Sequence, residues 1–173
     1  MPIVISLSGR SNSGKTTLLE KLIGELKRRG HKVAAVKHSF HDIDLDQPGK
    51  DSWRLARAGS DAVLVSSPNK LYLSRKLNAE APFEELLALL ADEYDVVLME
   101  GFKGASIGKI EVHRKELGGL VCPRGETIAV VTDEPLDVDV PQFTADQIEL
   151  LADFVESQPE LPPIVPASMA DGR

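Results

Sequence analysis

Cysteine is almost absent. Of 173 residues only Cys122 carries a thiol, which excludes an internal disulfide framework and fits a reducing compartment, so a cytoplasmic location is expected. Long apolar runs are missing as well: none approaches the ~18 residues that a bilayer-spanning helix needs, and no membrane partner is expected. Met1-Pro2-Ile3-Val4-Ile5-Ser6-Leu7 has no basic residue ahead of its apolar stretch, so it reads as a first strand and not as a signal peptide. Positive charge is short: 20 Lys+Arg stand against 27 Asp+Glu, a net charge of −7. That balance argues against the broad basic face that a nucleic-acid duplex demands. Internal repeats are absent too.

The remainder is ordinary for a globular chain, 42% hydrophobic and 27% charged, enough to build a core without staples. At roughly 150 residues per domain, one domain over residues 1–156 is expected. The Pro-rich stretch 157–173 is expected to be a frayed, disordered tail. Charge is uneven: residues 1–60 carry 11 Lys+Arg and 6 Asp+Glu, residues 61–173 carry 9 and 21. A basic first third in an acidic chain suggests a local anion site or simply solvated surface charge.

Apolar runs at 2–8, 32–37, 62–66, 71–75, 95–99, 109–114 and 127–132 read as strands. Leu18, Leu19, Leu22, Ile23 and Leu26 recur at helical spacing, and Arg28-Arg29-Gly30 supplies a helix stop. Shorter helices are expected from Asp51 or Ser52 (either one a cap) to Ala58, over 83–90, and over 146–155. Pro68-Asn69 joins two of the strands as a hairpin. Alternation of helices and apolar strands predicts an α/β domain with a mostly parallel central sheet flanked by helices, with that hairpin inserted.

Gly9-Arg10-Ser11-Asn12-Ser13-Gly14-Lys15-Thr16 satisfies G-x-x-x-x-G-K-[ST] between a predicted strand and a predicted helix. Glycines let successive backbone N–H groups face phosphate oxygens, and the helix start adds its positive end. Lys15 can reach the β- and γ-phosphates, and the Thr16 hydroxyl can ligate Mg²⁺. This makes the fold a P-loop NTPase type. The strand ending at Glu100-Gly101 has the Walker B shape: Glu100 can hold Mg²⁺ or orient an attacking group, and Gly101 can offer its N–H to a γ-phosphate. Asp95 starts that strand, at the wrong edge for this work.

Residues 38–52 form a polar loop containing His38, His41, Asp42, Asp44 and Asp46. A substrate and Mg²⁺ loop is the preferred reading, with a zinc or nickel cluster and a solvated loop as alternatives. Lys50 and Lys103 are candidate anion contacts. Trp53 reads as a packing residue, and Cys122 as a plain buried or loop thiol.

Gly9 to Thr17, Lys37-His38 with His41 to Ser52, and Glu100-Gly101-Phe102-Lys103 together resemble the molybdopterin-guanine dinucleotide biosynthesis protein B (MobB) family, over most of residues 1–156. The resemblance implies a protein that binds GTP with Mg²⁺, hydrolyses it slowly at best, and is a homodimer. It would assist attachment of GMP to molybdopterin, the transfer itself being done by a partner, MobA; molybdopterin or its carrier is a further implied partner. Carried onto this chain, Gly9, Ser11, Asn12, Ser13, Gly14, Lys15, Thr16, Thr17, Lys50, Gly101 and Asp133 are the expected nucleotide contacts. Lys15 and Glu100 are the expected catalytic groups, and Thr16, Glu100 and Asp42 the expected Mg²⁺ ligands. The Asn-Lys-x-Asp guanine signature is absent, and Thr132-Asp133 is its positional substitute. Two other classes stay open on the residues alone: a small-molecule kinase, with Glu100 or Asp42 as base, and a nickel-inserting GTPase built on His38 and His41.

Overall fold

The computed structural model describes residues 1–39, 41, 43–90, 93–102, 104–123 and 125–162. Its first strand, β1 (Ile3–Ser8), is buried along nearly its whole length. Such a run, buried on both faces, is what a central strand of a parallel sheet requires. The chain then forms α1 (Lys15–Arg28) and β2 (Val33–Lys37). After α2 (Asp51–Arg57), β3 (Ala62–Ser67) and β4 (Lys70–Arg75) come α3 (Phe83–Ala88) and β5 (Val96–Glu100). The last elements are β6 (Lys109–Val112), a 3-10 turn at Lys115–Leu117, β7 (Thr127–Val131), β8 (Gln142–Phe143) and α4 (Ile148–Glu156).

Six strands make one sheet in the order β2-β5-β1-β6-β7-β8, and every pairing in it is parallel. The mostly parallel sheet flanked by helices is thus as the sequence predicts. The two-residue β8 and the 3-10 turn carry too little periodicity to be read from sequence. Lys50, and neither Asp51 nor Ser52, precedes α2 as its cap residue; Asp51 instead places its carboxylate in the first turn, where the helix dipole favours it.

The chain divides into two compact units, residues 1–38 with 83 onward, and Ser39–Pro82. In the first, one sheet face packs Ile5, Leu7, Leu98, Ile110 and Val131 against Leu18, Leu22 and Leu26 of α1 and Leu151 and Val155 of α4. The other face is split. Val4, Val97 and Met99 meet Leu87 of α3, whereas Ser6, Ser8, Lys109, Glu111, His113 and Thr132 form a buried polar strip. Each charge on the strip has a partner. Lys109 pairs with Glu126 and donates to the Ala105 carbonyl. Glu111 accepts from the amides of Val121 and Cys122. His113 meets Glu134 at 3.2 Å.

Arg29, just past α1, ties that helix to α4: it reaches Glu25, Asp153 and Glu156 at 2.6 to 2.8 Å. Hydrogen bonds from Arg28 and Arg29 pull the Glu25 carboxyl down to about 2. Beyond α4, Glu160 bridges to Ile3 and the Leu161 amide donates to the Pro2 carbonyl.

In the second unit β3 and β4 pair antiparallel from Ala62↔Arg75 to Ser67↔Lys70, closing the hairpin at Pro68-Asn69. Trp53 of α2 lies under the Arg57 guanidinium, 5.2 Å from it. The Asp46 carboxylate accepts from the Ser52 hydroxyl and the Gln47 amide, which fixes the turn before α2.

Candidate functional site

The sheet register builds the site. Leu7 and Lys37 both pair with Glu100, so the C-terminal ends of β1, β2 and β5 stand level. The chain turns from one side of β1 to the other at this edge, the switch point where open α/β sheets take ligands.

From β1 the chain runs into a loop that only glycine permits at its first position. Gly9 has φ +136°, and a Cβ there would lie 2.4 Å from the Val112 carbonyl oxygen. Asn12 (φ +64°) and Gly14 (φ +92°) are also left-handed, which rolls the backbone into a cradle. Gly14 caps α1 with no side-chain hydrogen bond, and the first turn holds no acid. The helix start therefore presents uncapped N–H groups and positive potential to an anion. Ser11 and Thr17 lie exposed at the rim. Ser13 is buried, and its hydroxyl has no hydrogen-bond partner among the described residues.

Lys15 folds back over the loop and donates to the carbonyls of Gly9 (3.2 Å) and Arg10 (2.7 Å). The Thr16 hydroxyl donates to Glu100 Oε2 at 2.8 Å, and Lys37 Nζ stands 3.6 Å from Oε1. A hydroxyl and a carboxylate at that separation are hard oxygen donors of the kind that suit Mg²⁺ alongside nucleotide phosphates. Glu100 is 14% exposed, so its charge is only partly solvated and Lys37 supplies the counter-charge.

Gly101 turns the chain away from β5 with φ +103°, and a Cβ there would meet His38 Cβ at 3.0 Å. Its amide donates to the Leu7 carbonyl (3.3 Å) and its carbonyl accepts from Ser6 Oγ (2.8 Å), so the turn is fastened to β1. Phe102 is left-handed at φ +50° and its ring sits 5.0 Å from that of His38.

Asp133 follows β7. Its carboxylate accepts from the Lys115 amide at 2.9 Å and lies 3.7 Å from Arg114. The Lys115 amide first, then Asp133's own backbone amide and the Arg114 charge, keep this carboxyl below its usual range. Arg10 points along the surface to the Gly119 carbonyl (3.2 Å). Lys50 belongs to the second unit, while Asp42 and Lys103 lie outside the described residues. Among the described residues no three His, Cys, Asp or Glu side chains gather to hold a metal ion, and no helix is long and apolar enough to cross a membrane. Cys122 is half-buried, and burial raises its thiol pKa.

The structure thus brings together the loop 9–16, Glu100 and Gly101. Lys37 and Arg114 are additions that sequence reasoning missed. Lys37 needs knowledge that β2 pairs with β5. Arg114 lies just past β6 and off the alternation of Lys109, Glu111 and His113, so only the fold shows that it meets Ser13 and Asp133.

The family model for molybdopterin guanine dinucleotide synthesis protein B matches residues 4–133. A molybdopterin-guanine dinucleotide biosynthesis adapter protein of Haemophilus influenzae is 39% identical over 160 residues, 89% of this chain and 88% of the relative. The Escherichia coli protein of the same description is 39% identical over 163 residues, 88% of this chain and 90% of its own. Among solved structures, Bacillus subtilis MobB superposes with a TM-score of 0.74 at 28% identity, covering 94% of this chain and all of that one. A molybdopterin-guanine biosynthesis protein B crystal structure gives 0.71 at 31% identity, with coverage of 89% and 98%.

Proposed function

The chain belongs to the molybdopterin guanine dinucleotide synthesis protein B family, and from that premise we propose that it is an adapter in molybdopterin guanine dinucleotide biosynthesis that binds GTP with Mg²⁺. The observation that carries the nucleotide reading is the Thr16–Glu100 hydrogen bond at the mouth of the glycine cradle. It puts a hydroxyl and a carboxylate beside a ring of backbone donors, the pairing of parts that nucleoside triphosphate binding requires.

In this reading the loop amides and the buried Ser13 hydroxyl take the phosphate oxygens. Lys15 releases the Gly9 and Arg10 carbonyls and turns its ammonium to the β- and γ-phosphates. Thr16 and Glu100 would hold Mg²⁺, whose charge would offset that of the phosphates, and Asp133 would accept from the guanine edge. Lys37, 3.6 Å from Glu100, would supply further positive charge beside the phosphates. Weak intrinsic GTPase activity is part of the proposal, with Lys15 and Glu100 as its catalytic groups. The proposed partners are molybdopterin or its carrier, the nucleotidyltransferase MobA, and a second copy of this chain, in the cytoplasm.

Calorimetric titration with GTP and ATP, each with and without Mg²⁺, tests the reading. A Mg²⁺-dependent preference for GTP of tenfold or more, about 1.4 kcal/mol, is expected. Lys15→Ala removes a charge-assisted contact worth about 1.5–3 kcal/mol, so affinity for Mg·GTP should fall roughly 10- to 150-fold. Equal binding of GTP and ATP overturns guanine recognition. Unchanged affinity in Lys15→Ala overturns the phosphate assignment.

A further inference from the structure

The loops leaving β6 and β7 are zipped together. The His113 amide donates to the Val131 carbonyl (2.8 Å) and its ring meets Glu134 (3.2 Å). The Lys115 amide donates to Asp133 (2.9 Å), and its ammonium lies 3.4 Å from Glu134. The Thr132 hydroxyl and the Glu134 backbone lock the turn between them at 2.8 and 3.2 Å. Asp133 therefore sits on a stiff double loop.

Arg114 extends from that double loop to the phosphate cradle. Its Nε donates to the Ser13 carbonyl at 3.3 Å, one Nη lies 3.7 Å from Asp133 Oδ2, and the other is 3.5 Å from where a Cβ on Gly14 would stand. One planar guanidinium thus spans two loops, from the peptide before the α1 cap to the carboxylate after β7. The side chain is 33% exposed, so much of it is already held in place by packing. Arg10 also crosses between the same regions, but its Nε goes to Gly119, away from Asp133. A lysine in place of Arg114 swaps the rigid planar fork for one ammonium on a flexible stem, and so loses the fixed geometry that spans the Ser13 carbonyl and Asp133.

We propose that Arg114 is a positioning residue that couples the two halves of the nucleotide site, setting the distance and angle of the base-reading Asp133 against the phosphate cradle through the Ser13 carbonyl. The inference rests on the GTP reading above and adds to it the residue on which purine discrimination depends. Ser13 is a fitting relay. Its carbonyl is held by Arg114 while its buried hydroxyl faces no protein partner among the described residues, so phosphate captured there is felt at Asp133 through one residue and one guanidinium. Without Arg114 the cradle still offers its amides, Lys15 and Thr16 to phosphate, but Asp133 loses its fixed position relative to them.

The test is titration of the full chain and its Arg114→Ala, Arg114→Lys, Asp133→Ala and Arg114→Ala/Asp133→Ala variants with Mg·GTP, Mg·ATP and Mg·tripolyphosphate, with thermal midpoints recorded beside them. The expected result is a parent GTP:ATP preference of at least tenfold that falls to threefold or less in both Arg114 variants. Tripolyphosphate affinity should stay within about threefold of the parent. The double variant should discriminate no worse than either single alanine variant, because both act through one unit. A general loss of stability would lower GTP, ATP and tripolyphosphate binding alike and leave the ratio standing. A parent without GTP preference overturns the guanine reading and this coupling with it. A parent that prefers GTP, with Arg114→Lys keeping the full ratio or with losses from Arg114 and Asp133 that add, overturns the coupling alone.

Discussion

At the scale of single residues the site depends on where the backbone comes too close for a side chain. Gly9 faces the Val112 carbonyl at 2.4 Å from its would-be Cβ and has φ +136°. Gly9→Ala therefore combines a backbone strain of about 1–3 kcal/mol with a clash that must push β1 and β6 apart. Urea unfolding should show at least that loss, together with loss of nucleotide binding. A variant of parental stability and affinity would mean that the loop has room the distance denies. Gly30, with nothing within 4 Å of its would-be Cβ, carries only the conformational part of that cost. Residue identity made this half of the site legible in sequence: the spacing of Gly9, Gly14, Lys15 and Thr16 states its own chemistry. Asp133 was visible only as a strand-end acid, and its partners Lys115 and Arg114 emerge from the fold alone.

At the scale of elements, α1 does two tasks with one sequence. Its N-terminus opens on the glycine cradle, and its stripe of Leu18, Leu22 and Leu26 is buried against the sheet. Leu22 is fully buried, so Leu22→Ala should cost about 2–5 kcal/mol. Denaturant titration should show a lower midpoint with unchanged slope, and saturating GTP should restore part of the loss if the cradle survives. A cost below about 1 kcal/mol would show that α1 is not part of the cooperative core. Periodicity made α1, α4 and the long strands legible, since each has a buried stripe or run. It failed for β8, two residues long, because pairing with β7 and not its own pattern makes it a strand. It could not order the strands either. That β5 lies between β1 and β2 decides which residues meet Glu100, and nothing local encodes it.

At the scale of the molecule, the α1–α4 seam sets the response to acid. Arg28 and Arg29 hold the Glu25 carboxyl at about 2, against 4.5 for a free glutamate. Glu156 is also lowered, first by its bond to His31 and then by Arg29. Carboxyls lowered by folding stabilise the native state above their unfolded pKa and lose that contribution as pH falls through the folded value. Stability should therefore decline between about pH 4.5 and 2, and Glu25→Gln should flatten that decline while lowering stability at pH 7. A Glu25→Gln variant with the parental acid profile would place the acid-sensitive groups elsewhere. The polar strip on β6 bears on how the chain finds this fold at all. Lys109, Glu111 and His113 alternate with Ile110 and Val112, so sliding β6 by one residue against β1 and β7 would drive charges into the leucine-rich layer under α1 and α4, and send isoleucine and valine to carboxylate and ammonium partners. Mispaired sheets thus carry a penalty spread over three residues, and β6 acts as a key that fits its neighbours in one alignment only.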